Sequence, residues 1–193
     1  AITDVDSAPA IIDRLFNTAI EKSGPVYLEI PQDFWNLSIN DYPAAFSRLD
    51  PEASPYLNEI AEKTQSRLEL SKEPIVLLGS ELVRMDMSDQ AMAFIEKQQI
   101  PFFTTMLSKS IVSEDHPLFR GVYDSDLAPS DITSEVESAD LMITFGCIFG
   151  IDHRFLVKSQ YHNMVELGYG LARLGEEKYS QVFLPHILTE LNK

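Results

Sequence analysis

Short all-apolar runs alternating with amphipathic stretches predict an α/β fold, a doubly wound parallel sheet with helices on both faces. Three observations carry that prediction. Ile75-Val76-Leu77-Leu78 and Leu141-Met142-Ile143-Thr144-Phe145 are apolar at almost every position, as strands covered on both sides require. The stretches between such runs repeat their apolar residues at helical spacing. The two runs close on Gly79 and Gly146, where a chain leaving a strand turns sharply.

In chain order, Asp6-Ser7-Ala8-Pro9 reads as a helix start, a capping side chain followed by proline in the first turn. Ile11, Ile12, Leu15, Phe16 and Ala19 then recur at helical spacing, and Ser23-Gly24-Pro25 stops the helix. Val26–Ile30 reads as a short strand ended by Pro31. Periodicity then lapses, with Pro43 and Pro51 among Asp, Asn and Ser, so residues 34–54 read as a linker. Regular alternation follows. A helix over about 56–71 turns Leu57, Ile60 and Leu68 inward, and strand 75–78 follows Pro74. Ser88–Gln98 is helical, with Met92, Phe94 and Ile95 apolar, and Phe102–Met106 is a strand. A loop through Asp115-His116-Pro117 leads to a short helix at 131–138 and strand 141–145. Met164–Leu167 is a further strand candidate and Val182–Leu191 a final helix; the sheet is expected to hold about six strands.

Charge and composition exclude several functions. Thirty acidic against 15 basic residues give a net charge of −15. The excess is even: 13 acids and 6 bases up to Glu73, 17 and 9 beyond it. That is a solvated acidic surface, unsuited to nucleic acid or an anionic membrane. One cysteine excludes an internal disulfide framework and a cysteine-based metal cluster. The longest nearly unbroken apolar stretch, Leu141–Ile151, is too short for a membrane span of about 20 residues. The acidic N-terminus has no signal-peptide pattern, so a cytoplasmic location is expected.

Loops at strand carboxyl ends line the ligand crevice of doubly wound sheets, so Gly79, Ser80, Gly146, Cys147 and Asp152 are the candidate crevice residues. Tight backbone turning and contact with a nucleotide both account for the glycines. No nucleotide fingerprint is present, because neither G-x-G-x-x-G nor G-x-x-x-x-G-K-[ST] occurs. His116, His153, His162 and His186 show no metal-ligand spacing. His116 fits a turn with a local hydrogen bond. Cys147, just past an apolar strand, fits a buried inert thiol. Asp152-His153-Arg154 is the most function-like charged cluster, and Phe34-Trp35 an apolar anchor onto a neighbouring surface.

Gly24-Pro-Val-Tyr-Leu-Glu-Ile-Pro-Gln-Asp33, after a helix ending in Glu-Lys-Ser, resembles the end of the pyrimidine-binding domain of thiamine diphosphate-dependent enzymes. Thr105–Tyr123 and Glu137–Gly146 are similar to two blocks of their central domain, in the same order. Within that superfamily, Met-Leu-Ser-Lys-Ser and Gly-Val-Tyr look most like the pyruvate and indolepyruvate decarboxylases. Many relatives carry glycine where Ser108 and Ser110 stand, which favours the decarboxylase branch over flavin-binding acetolactate synthases. The resemblance implies three parts: a tail of the pyrimidine-binding domain at 1–33, a linker at 34–54, and a central Rossmann-like domain at 55–193. The opening Ala agrees with a piece of a longer protein.

The resemblance further implies thiamine diphosphate and Mg²⁺ in the full-length parent, with the missing N- and C-terminal domains as partners in a homodimer or homotetramer. The family holds the diphosphate through Mg²⁺ on a Gly-Asp-Gly motif, which does not occur here. Glu29 is not the cofactor-activating glutamate, which lies earlier in the pyrimidine-binding domain. No catalytic residue, metal ligand or bound cofactor is therefore expected in this chain itself. Two alternatives remain open: a stand-alone nucleotide- or effector-binding module, and a piece of an acetolactate synthase-type carboligase.

Overall fold

The structure is a computed structural model that describes residues 1–21, 24–39 and 52–193. The chain forms two compact units, Ala1–Glu52 and Ala53–Lys193. In the first, helix α1 (Ala8–Glu21) begins where the carboxylate of Asp4 accepts the Ser7 amide at 2.8 Å and the Ser7 hydroxyl at 2.6 Å. Sequence reading put the capping group at Asp6-Ser7. The side chain that does it lies two residues earlier. Residues 26–30, read as a strand, form no ladder; the Glu29 carbonyl accepts one hydrogen bond, from the Ile2 amide at 2.9 Å. A strand needs a paired neighbour, and none is found among the described residues of this unit. A 3-10 turn at Gln32–Phe34 follows. Ser23, part of the helix stop, and residues 40–51 of the linker lie outside the described residues.

The second unit is a three-layer α/β domain. Its sheet holds β1 (Pro74–Leu78), β2 (Phe102–Thr105), β3 (Phe119–Tyr123), β4 (Leu141–Phe145), β5 (Met164–Leu167), β6 (Leu171–Leu174) and β7 (Glu177–Ser180). The order is β3-β2-β1-β4-β5-β6-β7. The first five strands are parallel, and β6 and β7 add an antiparallel hairpin at one edge. Seven strands stand where about six parallel ones were expected. β6 and β7 are short and carry Arg173, Glu177 and Lys178, which hides their alternation. β3 holds a glycine, Gly121, in a segment that reads as loop; the side chain of Ile132 fills the space its Cβ would need.

The helices divide between the faces as the right-handed crossover rule requires. α2 (Leu57–Leu70), α3 (Glu81–Met85), α4 (Ser88–Gln98) and α7 (Leu184–Leu191) cover one face; α5 (Ser130–Ser138) and α6 (Arg154–Ser159) cover the other. Alternate residues of β1 supply both cores. Val76 and Leu78 join Ile60, Phe94, Phe145 and Leu188 on the first face, and Ile75 and Leu77 join Phe103, Val136 and Leu156 on the second. Phe94 meets Phe145 edge to face at 5.5 Å. Among the described residues, no helix is long and apolar enough to cross a membrane.

Candidate functional site

The chain runs outward from β1 through β2 to β3, then returns to place β4 on the other side of β1. That reversal is the topological switch point, where open α/β sheets bind ligands beyond the strands' carboxyl ends. Gly79 and Ser80 leave β1 there, and Gly146 and Cys147 leave β4. The structure therefore brings four of the five candidate residues together. Asp152 lies apart, exposed in the turn before α6, where its carbonyl accepts the Ser125 hydroxyl at 2.7 Å.

The glycines make this junction possible. The Gly79 amide donates to the Phe145 carbonyl at 2.8 Å, and a Cβ on Gly79 would stand 2.1 Å from the Gly146 oxygen and 2.3 Å from the Cys147 Cα. Gly146 has φ +63°, in the left-handed region that favours glycine, and its carbonyl accepts the Glu81 amide at 3.1 Å. Turning and close backbone approach account for both residues.

Around this seam the polar groups are mostly engaged with the fold. Burial pushes the Cys147 thiol well above its usual pKa, with Glu166 and Glu81 adding to the shift, and its Sγ donates to the Leu77 carbonyl at 3.3 Å. A protonated, buried thiol is inert as a nucleophile. The Ser80 hydroxyl is buried with no hydrogen-bond partner. Three further residues, which the sequence reading did not assign to the crevice, help to build it. Glu81 accepts the Tyr169 amide at 3.0 Å. Ser108 is fully buried and donates to the Leu78 carbonyl at 2.6 Å, with the Thr105 hydroxyl 2.7 Å away. Ser108 stands in the Met-Leu-Ser-Lys-Ser block that carried the resemblance. Ser110 in the same block adopts φ +67°, in the left-handed region that glycine enters more readily.

The histidines keep to local roles. His116 accepts the Leu118 amide on Nδ1 at 3.2 Å, the turn bond read from Glu-Asp-His-Pro, and its Nε2 lies 3.3 Å from Glu96. His153 sits against the rings of Phe149 and Tyr123. Burial raises the Tyr123 phenol to about 12, with the Glu137 carboxylate adding to the shift as it accepts the phenol's hydrogen bond. Among the described residues no three of His, Cys, Asp and Glu gather as a metal site would need. In the first unit, Phe34 and Trp35 line an apolar groove of about 420 Å³ with Ile2, Val5, Ile12 and Ile39.

A parallel-dominated sheet with helices on both faces and a switch point between β1 and β4 defines a domain of the Rossmann-like class. Residues 58–164 match the family model for the central domain of thiamine pyrophosphate enzymes, and the chain belongs to that family. It is 34% identical over 153 residues to the pyruvate decarboxylase of Kluyveromyces lactis, covering 76% of this chain and 27% of that one. It is 29% identical over 198 aligned positions to the pyruvate decarboxylase of Hanseniaspora uvarum, covering 98% and 35%. A solved structure assigned as a thiamin diphosphate-dependent enzyme of Mycobacterium smegmatis covers the whole chain with a TM-score of 0.66 at 22% identity, which shows the fold alone. The chain thus spans about a quarter to a third of the curated relatives it matches.

The residues present do not fit a magnesium diphosphate. Of the groups at the crevice only Glu81 is a carboxylate, and it is occupied by the Tyr169 amide. A hard cation of that kind is held by several oxygen ligands, carboxylates foremost.

Proposed function

We propose that the longer protein containing this domain is a 2-oxo acid decarboxylase of the pyruvate or indolepyruvate type. It would release an aldehyde non-oxidatively with thiamine diphosphate and Mg²⁺ held by its other domains. The observation that carries this reading is the run of pyruvate decarboxylases among the relatives, at up to 34% identity over three quarters of the chain. In this reading residues 1–33 are the tail of a pyrimidine-binding domain, 34–54 a linker and 55–193 the domain that spaces the two cofactor-binding domains. The parent works in the cytoplasm as a homodimer or homotetramer. The 193-residue chain alone, which lacks a Gly-Asp-Gly motif, should form no aldehyde.

The test is a coupled alcohol dehydrogenase assay with pyruvate and with indolepyruvate. The full reading frame should form aldehyde in a thiamine diphosphate-dependent manner, and the isolated chain should not. Aldehyde release by the isolated chain would overturn its inactivity; acetolactate instead of aldehyde from the full protein, with bound yellow flavin, would move the parent to the carboligase branch. A second reading rests on one observation, the buried Ser80 hydroxyl without a partner at the switch point. It makes the crevice of Gly79, Ser80, Gly146 and Cys147 a nucleotide or effector site. Equilibrium dialysis of the isolated chain against radiolabelled ATP and pyruvate tests it, and Ser80→Ala should abolish any binding found.

A further inference from the structure

Against a net charge of −15, one stretch of the chain is basic. Residues 153–165 hold His153, Arg154, Lys158 and His162 and no acid. Arg154 and Lys158 stand one turn apart on α6, about 6 Å along its axis, and both are exposed. Neither joins an ion pair among the described residues. With His162, Phe149, Val157 and Tyr161 they line an open groove of about 530 Å³ whose lining holds no carboxylate. A volume of that order suits a small molecule.

The aromatic part of the groove is held in place. The Tyr161 ring lies 4.4 Å from the guanidinium of nearly buried Arg173, which also donates to the Tyr161 carbonyl at 3.0 Å. Ring and backbone are fixed by one partner, and a ring already fixed can stack on another at little entropic cost. The Arg154 guanidinium lies 4.8 Å over the exposed Phe155 ring, a contact weaker than the charge-assisted bonds an oxyanion offers. Carboxylates flank the cations: Asp152 lies two positions before Arg154, and Glu176 is 3.6 Å from His162. An extended acidic polymer along α6 would meet both, whereas a compact anion can sit on Arg154 and Lys158 between them.

We propose that this groove binds a small phosphate ester carrying an aromatic ring. Arg154 and Lys158 take the phosphate, the guanidinium through paired N–H···O bonds and the ammonium as a point charge. The aromatic ring of the ligand lies against Tyr161, Phe149 and Val157. The groove shares no lining residue with the crevice of Gly79, Ser80, Gly146 and Cys147, so the site depends neither on that crevice nor on the decarboxylase reading.

Amide chemical shifts of the ¹⁵N-labelled 193-residue chain, titrated with phenyl phosphate, test the site. Saturable shifts confined to residues about the groove are expected, with a dissociation constant below about 1 mM. Inorganic phosphate should bind the same residues about tenfold more weakly, because it lacks the stacking ring. Arg154→Gln/Lys158→Gln should weaken phenyl phosphate at least about tenfold; both side chains are exposed, so the remaining amide spectrum should be unchanged. Tyr161→Leu should bring phenyl phosphate to the level of inorganic phosphate, and Ser80→Ala should leave its affinity as in the wild type. No saturable shift up to about 10 mM, affinity unaltered in the double variant, or loss on Ser80→Ala would each overturn the proposal. So would inorganic phosphate binding as tightly as phenyl phosphate, or a hexaglutamate peptide taking the same residues more tightly than either.

Discussion

The two faces of the sheet are built differently. The face under α2, α3, α4 and α7 packs a cluster of twenty-one described apolar residues, and the face under α5 and α6 a cluster of ten. Buried polar groups occur on both faces, Thr64 and the unpartnered Thr104 hydroxyl on the larger one, and the smaller face carries a further set. The Thr144 hydroxyl is buried there without a partner, and Cys147 sits below it as a protonated thiol. Beyond it the nearly buried Arg173 pairs with Glu166 at 2.9 Å. That arginine also donates to the carbonyls of Tyr161 and Gly175 and lies 4.4 Å over the Tyr161 ring. One side is held by a large hydrocarbon cluster, the other by a thinner core flanked by the Arg173–Glu166 pair. Stability should therefore be concentrated on the first face, and tolerance and interaction on the second.

The largest effect belongs to the seam both faces share. Gly79→Ala would drive its Cβ into the Gly146 and Cys147 backbone, which has no flexible end to yield. We expect a loss of about 4 kcal/mol or more, seen in urea unfolding as loss of a folded baseline. The next test compares the faces directly. Phe145→Ala should cost about 3–5 kcal/mol and Leu156→Ala about 2–3 kcal/mol; equal losses would abolish the contrast. Arg173→Met leaves the Glu166 carboxylate without its partner and should cost about 3 kcal/mol. Adding Glu166→Leu should recover most of it, and a double variant no better than the single would assign the loss to packing.

Smaller effects sharpen the picture. Thr144→Val replaces an unpaired buried hydroxyl by a methyl and should raise stability by about 1 kcal/mol. Asp140 clamps the start of β1: its carboxylate accepts the Ser71 hydroxyl and the amides of Lys72 and Glu73 at 2.8 and 3.0 Å. The Ser71 bond leads in holding its pKa below the ordinary 3.8. A carboxyl lowered on folding stabilises the protein fully above that ordinary value, and the stabilisation is lost as pH falls through the folded one. Because the group is largely exposed, Asp140→Asn should cost only about 1 kcal/mol at pH 7. The gap between it and the wild type should narrow below pH 3.8 in thermal melts.

The same contrast governs what could be read in the sequence. β1, β4 and β5 and helices α2, α4, α5 and α7 were legible within about two residues, because uninterrupted apolar runs and helical spacing mark elements that build a large core. The strand expected at 26–30 failed for the converse reason: Val26, Tyr27 and Ile30 are all at least 41% exposed and find no ladder. α6 and the β6–β7 hairpin escaped notice because they are short and charged. Their stability comes from contacts distant in sequence, such as Lys63 bridging Glu59, Glu177 and Tyr179 to fasten the hairpin onto α2. The strand-end glycines lie at the β1–β4 switch point. What those glycines do there, admitting another backbone, depends on which two strands lie side by side, and local sequence does not specify that.

The pairing of β1 with β4 has a consequence for synthesis. Pro74 meets Leu141 in the ladder, 67 positions later, and every residue of β2, β3 and α5 lies between them. At about 5–20 residues per second a ribosome takes several seconds to supply β4 after β1 has emerged. Through that interval Ile75–Leu78, a strand apolar on both sides, has only β2 and its own helices for cover. A strand that ends inside the finished sheet, next to its centre, is thus left with an open edge through much of the domain's translation.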